Sequence, residues 1–198
     1  MTLIKICGVT RPEDAALAVD LGADFVGFIF VKESPRFVTP TRAREIISTT
    51  RRLGDSTTRF VGVFRDLAAR EIHAIADAAG LDLIQLHGHE PDDVLREVER
   101  PVIRAVRVTD QLPAIETSAA WVLFDTGGGT GRTFDWTLLE SYPRTKPFFL
   151  AGGLTPDNVA DAIRIARPDA IDLSSGIESA PGIKDHDKMR RLFARVHR

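Results

Sequence analysis

Short apolar runs recur along the chain at fairly regular intervals: Leu3-Cys7, Phe25-Phe30, Phe60-Phe64, Leu83-Leu86, Val102-Val108, Trp121-Phe124, Pro147-Ala151 and Ala170-Leu173. Their β-branched and aromatic content and nearly unbroken apolarity predict strands of a parallel sheet covered on both faces. Helix-like segments lie between them. Thr10-Arg11-Pro12-Glu13 spells a capping box, in which a threonine hydroxyl and a glutamate three residues later satisfy unpaired N–H donors. Thr39-Pro40 and Thr155-Pro156 each place a cap before a proline at the first helical position. At the end, Met189, Leu192, Phe193 and Val196 share one helical face. Two connections read as irregular: the stretch from Val108 to Trp121, which contains Pro113, and the glycine-rich stretch from Asp125 to Thr133.

Eight strand-and-helix units predict an α/β protein, a single (β/α)8 TIM barrel spanning residues 1–198 as one catalytic domain. A doubly wound open sheet is the structural rival. At 198 residues the barrel is compact, since about 250 is typical. Apolar residues at 43% and charged residues at 27% are an ordinary soluble balance. The formal net charge of -2, with signs interspersed, gives no reason to expect nucleic acid. No apolar run approaches the roughly 20 residues that span a bilayer, and no basic-then-apolar leader precedes the first strand. A cytoplasmic location is expected.

Polar residues that follow barrel strands face a shared pocket. Cys7, the only cysteine, ends the first strand and cannot close an internal disulfide. Buried cysteine commonly packs as a small hydrophobe; a strand end followed by glycine is instead where barrels keep their chemistry. After the last two strands, Gly152 and Gly153 let backbone N–H groups approach an anion, and Ser174, Ser175 and Gly176 add donors beside a helix N-terminus. The alternative is that these glycines only make tight turns. Asp125 is either a turn residue or a general acid whose pKa an apolar pocket raises. Arg36 is either a solvated charge or a two-pronged grip for a carboxylate. His87 and His89 lack further ligands at metal-like spacing, so no metal site is read there. His87 is expected to be a hydrogen-bonded structural group and His89 exposed, while Trp121 and Trp136, lacking a paired aromatic partner, read as core or flank.

Taken together, Lys5-Ile6-Cys7-Gly8-Val9-Thr10, Ser34-Pro35-Arg36, Val61-Gly62-Val63-Phe64, Gln85-Leu86-His87-Gly88 and Leu123-Phe124-Asp125-Thr126 resemble the phosphoribosylanthranilate isomerase family. So do Gly128-Gly129-Thr130-Gly131 with Phe134-Asp135-Trp136, Leu150-Ala151-Gly152-Gly153-Leu154, and Ser174-Ser175-Gly176-Ile177-Glu178 with Pro181-Gly182-Lys184-Asp185. The resemblance implies an aldose-ketose isomerase of tryptophan biosynthesis, which carries out the Amadori rearrangement of N-(5-phosphoribosyl)anthranilate to 1-(2-carboxyphenylamino)-1-deoxyribulose 5-phosphate. In the family's pattern Asp125 protonates the ribose ring oxygen and opens the ring to a Schiff base. Cys7 then removes the C2 proton, giving an enolamine that tautomerises to the ketone. Arg36 would hold the anthranilate carboxylate, the loops of Gly152, Gly153, Ser174, Ser175 and Gly176 the phosphate, and Asp172 a hydroxyl or the alignment of the pocket. Proton transfers complete the reaction, so neither metal nor organic cofactor is implied. The partner implied is a small-molecule substrate, with no nucleic acid or membrane, and the chain is a monomer or a homodimer. Lys5 shares a strand face with Cys7 and is a candidate cation to help a thiol of ordinary pKa near 8.5 become basic.

Two competitors share the frame. A histidine-pathway isomerase, acting on a substrate with two phosphates, needs a second glycine-rich loop, and Arg65-Asp66-Leu67-Ala68 offers none. A non-catalytic phosphate-ligand barrel has no use for Cys7, Asp125 and Arg36 together.

Overall fold

The computed structural model describes residues 1–53, 57–127 and 131–196. Eight parallel strands close into a barrel in chain order: β1 (Leu3–Ile6), β2 (Phe25–Ile29), β3 (Arg59–Phe64), β4 (Leu83–Leu86), β5 (Val102–Arg107), β6 (Trp121–Asp125), β7 (Phe148–Leu150) and β8 (Ala170–Leu173). β8 pairs back onto β1, with Leu3 opposite Ala170 and Lys5 opposite Asp172. That closure excludes the open doubly wound sheet and leaves the barrel without an edge strand.

The helices are α1 (Pro12–Asp20), α2 (Pro40–Arg51), α3 (Ala69–Ala79), α4 (Asp92–Glu97), α5 (Val159–Ala166) and α6 (His186–Val196). Both connections read as irregular are so. No helix joins β5 to β6, and among the described residues only a 3₁₀ helix, Trp136–Ser141, stands between β6 and β7. These economies and the six-residue α4 explain how a barrel fits in 198 residues. The motif residues Gly128-Gly129-Thr130 lie outside the described residues. After β8, a 3₁₀ turn (Ser175–Ile177) leads into a hairpin of β9 (Glu178–Ala180) and β10 (Ile183–Lys184).

The capping signals are only partly realised. Thr39 caps α2, accepting a hydrogen bond from Arg42 N–H at 3.2 Å with Pro40 as the first helical residue. Thr10 does not cap α1. Proline favours the first helical position, so Pro12 makes Arg11 the N-cap and leaves Thr10 one residue too early. Its hydroxyl donates to the Gly182 carbonyl instead, at 2.6 Å. Thr155 Oγ1 accepts from Asp157 N–H at 3.2 Å within a turn, and α5 begins only at Val159.

The strand side chains divide into two cores. Outward residues such as Ile4, Ile6, Val26, Phe28, Phe124 and Phe148 pack against helix faces that include Ala43, Ile46, Ile72, Ala76, Met189, Leu192 and Phe193. Inside the barrel, Phe25, Val61, Leu83, Ile103, Leu123, Phe149, Ala151 and Ala170 form a separate cluster. Trp121 does have aromatic partners, from two other strands: its ring lies 5.0 Å from Phe149 and 6.4 Å from Phe25. Arg59 closes this floor from below, its guanidinium 4.2 Å over the Phe25 ring. Strand alternation then sorts the interior by height. On β1, Leu3 belongs to the floor, Lys5 to the next layer, and Cys7 to the rim. No described helix is long and apolar enough to cross a membrane.

Phe149 is fully buried at the centre of the floor. Phe149→Ala is expected to cost about 3–5 kcal/mol in urea unfolding, the range for deleting a buried aromatic ring. A loss below about 1 kcal/mol would mean that the floor collapses around the gap and does not set the height of the layers above.

Candidate active site

Above the floor, the C-terminal ends of the strands surround a cavity of about 260 Å³. Its lining brings together the residues given a catalytic or binding role in the sequence analysis: Cys7, Arg36, Asp125, Gly152, Gly153, Asp172, Ser174, Ser175 and Gly176. A wider cleft of about 710 Å³ opens beside it, over the ends of β4 to β6, and shares Arg65, His87 and Asp125 with it. Among the described residues, no cluster of three or more His, Cys, Asp and Glu side chains could hold a metal ion.

At the base of the cavity, Lys5 is wholly buried and donates to Asp172 Oδ2 and Gln85 Oε1, both at 2.8 Å. Burial pulls its pKa down, but the charges of Asp172 and Cys7 outweigh that and raise it, so the ammonium persists. Cys7 sits one layer above. Burial pushes its thiol above the ordinary range, and Lys5 pulls in the opposite direction without cancelling the rise. Lys5 is therefore the neighbouring cation expected from strand alternation, opposed by desolvation. The other oxygen of Asp172, Oδ1, is buried without a hydrogen-bond partner among the described residues, as is the Ser174 hydroxyl.

Arg36 does not offer a free fork. Its Nε and Nη2 donate to the two Glu178 carboxylate oxygens at 2.8 and 2.7 Å. Glu178 also accepts from Lys184 Nζ at 2.9 Å, and Lys184 reaches on to the Cys7 carbonyl at 2.6 Å. Desolvation pushes the Glu178 carboxyl up, but the Arg36 hydrogen bonds and the Lys184 charge win and hold it below its ordinary 4.5. Burial lowers the Lys184 pKa, with Glu178 opposing. The sequence quoted Glu178 and Lys184 as motif members but assigned them no work.

The loops are tight where they converge. Gly8, at φ +72°, lies so close to its neighbours that an added Cβ would stand 2.6 Å from Arg36 Cδ and 3.0 Å from Ser174 Oγ. Gly152, at φ +84°, would place a Cβ 2.9 Å from Asp125 Oδ1. The Gly153 carbonyl accepts from Asn158 Nδ2 at 3.0 Å, which braces the loop after β7. The helix N-terminus expected after β8 is a single 3₁₀ turn, too short for an appreciable dipole, so this loop offers hydroxyl and N–H groups alone. His87 is hydrogen-bonded, as read from the sequence, yet it also enters the pocket: Nε2 lies 3.4 Å from Asp125 Oδ2 and Nδ1 lies 3.1 Å from Gln85 Nε2. His89 is exposed.

A closed (β/α)8 barrel with buried titratable groups gathered at its C-terminal rim is the arrangement of a barrel enzyme. The chain belongs to the N-(5'-phosphoribosyl)anthranilate isomerase family, whose model matches residues 4–195. A relative of that name from Acidithiobacillus ferrooxidans is 45% identical over 206 residues, covering 99% of this chain and 98% of its own. The phosphoribosyl anthranilate isomerase structure from Thermus thermophilus superposes with a TM-score of 0.91 at 37% identity, covering 99% of this chain and 98% of its own. A phosphoribosyl anthranilate isomerase in complex with reduced 1-(o-carboxyphenylamino)-1-deoxyribulose 5-phosphate gives 0.87 at 36% identity, covering 100% of this chain and 99% of its own.

Because the folded Glu178 pKa is depressed, its stabilising contribution is present above about pH 4.5 and lost as pH falls through the lower folded value. Urea midpoints of the wild type should therefore drop on acidification below that point. The Glu178→Gln variant, less stable at neutral pH, should lose less over the same interval, and parallel acid limbs would remove Glu178 from the acid response.

Proposed function

We propose that the chain isomerises N-(5'-phosphoribosyl)anthranilate by two proton transfers with the substrate, from Asp125 and to Cys7. The observation that carries this reading is the single cavity lined by both groups, by Arg36 and by the two glycine-serine loops. Asp125, on β6, gives its proton to the ribose ring oxygen as the C1–O bond breaks, leaving a Schiff base. Cys7, at the end of β1, takes the C2 proton, and the resulting enolamine tautomerises to the ketone. A thiol raised by burial is a strong base once deprotonated, and the Lys5 ammonium supplies the charge that holds its thiolate.

Binding follows from the remaining groups. Glu178 occupies the Nε–Nη2 edge of Arg36 and fixes the plane of the guanidinium. The Nη1–Nη2 edge is left for the anthranilate carboxylate. Backbone N–H groups at Gly152, Gly153 and Gly176 and the hydroxyls of Ser174 and Ser175 receive the phosphate. Asp172 Oδ1, buried and unpaired, accepts a ribose hydroxyl.

The test is the loss of phosphoribosylanthranilate fluorescence on addition of purified protein. Cys7→Ala and Asp125→Asn should each fold and lose about 10²–10⁴-fold in turnover, the span for positioned acid and base groups. Near-normal turnover in either variant removes that residue from the chemistry. Arg36→Met should lower kcat/KM, because methionine cannot replace the charged fork; an unchanged value would assign the carboxylate to another group.

A further inference from the structure

A polar chain crosses the barrel from β1 to β6, and its directionality is set by chemistry. Lys5 Nζ carries donors only, so the group 2.8 Å away on Gln85 must be its oxygen. That orients the Gln85 amide: Nε2, also a donor only, is turned to His87 Nδ1 at 3.1 Å. A donor there requires a lone pair on Nδ1, which places the imidazole proton on Nε2. Nε2 in turn stands 3.4 Å from Asp125 Oδ2. The His87 backbone N–H is anchored to the Phe64 carbonyl at 2.9 Å, and Gln85 is buried, so both ends of the relay are held.

We propose that Gln85 and His87 are positioning residues for Asp125: Gln85 locks His87 in the tautomer whose Nε2–H faces Oδ2. This rests on Asp125 acting as the acid. With an N–H directed at Oδ2, the carboxylic proton is left to Oδ1, the oxygen that lies 3.5 Å from Thr126 Oγ1 and approaches Gly152 and the loop after β7. When that proton leaves, the new carboxylate already has a donor on its other oxygen. The opposite tautomer would turn two donors, from Gln85 and from His87 Nδ1, against each other. It would also present a lone pair to Asp125 that takes up the very proton the substrate needs.

Long-range ¹⁵N–¹H correlation spectra of the histidine rings read the tautomer directly, with His87 assigned by its disappearance in His87→Gln. In the wild type, Nε2 is expected to be protonated and Nδ1 not. In Gln85→Glu, both side-chain oxygens accept, so Nδ1 should gain a proton and kcat should fall about 10–100-fold with KM little changed, the usual scale for groups that orient another. His87→Leu should lose kcat to a similar extent, and His87→Gln, whose amide reaches the Nε2 position with an N–H, should recover about tenfold of it. A wild-type ring protonated on Nδ1, an unchanged ring in Gln85→Glu, or equal losses in the two His87 variants would each overturn the proposal. The ring spectra do not depend on turnover: if Asp125→Asn stayed active while the tautomer was as stated, the acid assignment would fall and the lock would stand.

Discussion

An ammonium group with no contact with solvent sits halfway up the barrel, and much of the structure can be read as the means of keeping it there. A lone charge at that depth would cost several kcal/mol. Lys5 avoids this through Asp172 on the adjacent strand β8 and Gln85 on β4, across the interior. The same three residues separate two environments. Below them the interior is an apolar cluster; above them the lining mixes apolar side chains with the titratable and hydroxyl groups of the pocket. The ammonium leaves one Asp172 oxygen buried and unpaired, opposes the desolvation of the Cys7 thiol, and orients the Gln85 amide.

A second ionic system works at the rim and shares no member with the first. Arg36, Glu178 and Lys184 come from the loop after β2 and from the β9–β10 hairpin. A buried carboxylate between two cations is a costly arrangement unless its geometry is good. Here both Glu178 oxygens are engaged by Arg36, and Lys184 spends its other donors on backbone carbonyls of Cys7 and Ser174. The result is a guanidinium held along its Nε–Nη2 edge at the wall of the pocket, with little side-chain freedom left to lose.

How far these arrangements were legible depended on sequence distance. Cys7, Asp125 and Asp172 were readable because each ends or nears the end of an apolar run, and a parallel barrel sends such positions to one rim. Lys5 followed from Cys7 by alternation alone. The same alternation also carried Gln85 and His87, a polar residue inside Leu83–Leu86 and a histidine two positions on, and that signal went unused. Glu178 and Lys184 were not readable as partners of Arg36, since only the folded hairpin brings them to the loop after β2. Trp121 looked solitary because its partners lie on other strands, Phe149 on the adjacent β7 and Phe25 on β2 across the barrel interior. The misplaced cap at Thr10 had a local cause: proline's preference for the first helical position outranked the threonine-glutamate spacing.

The hairpin has a consequence for how the molecule is made. Thr10 bonds to Gly182, Asp14 accepts from the Lys184 backbone and from His186, and the Cys7 carbonyl is held by Lys184. The turn that follows the first strand is thus shaped by residues made after all eight barrel strands. During translation β1 waits without its β8 neighbour and without this clasp while the rest of the barrel emerges. Chain order and site order run in opposite directions, so the pocket around Cys7 is completed only after the hairpin that follows β8 has been made.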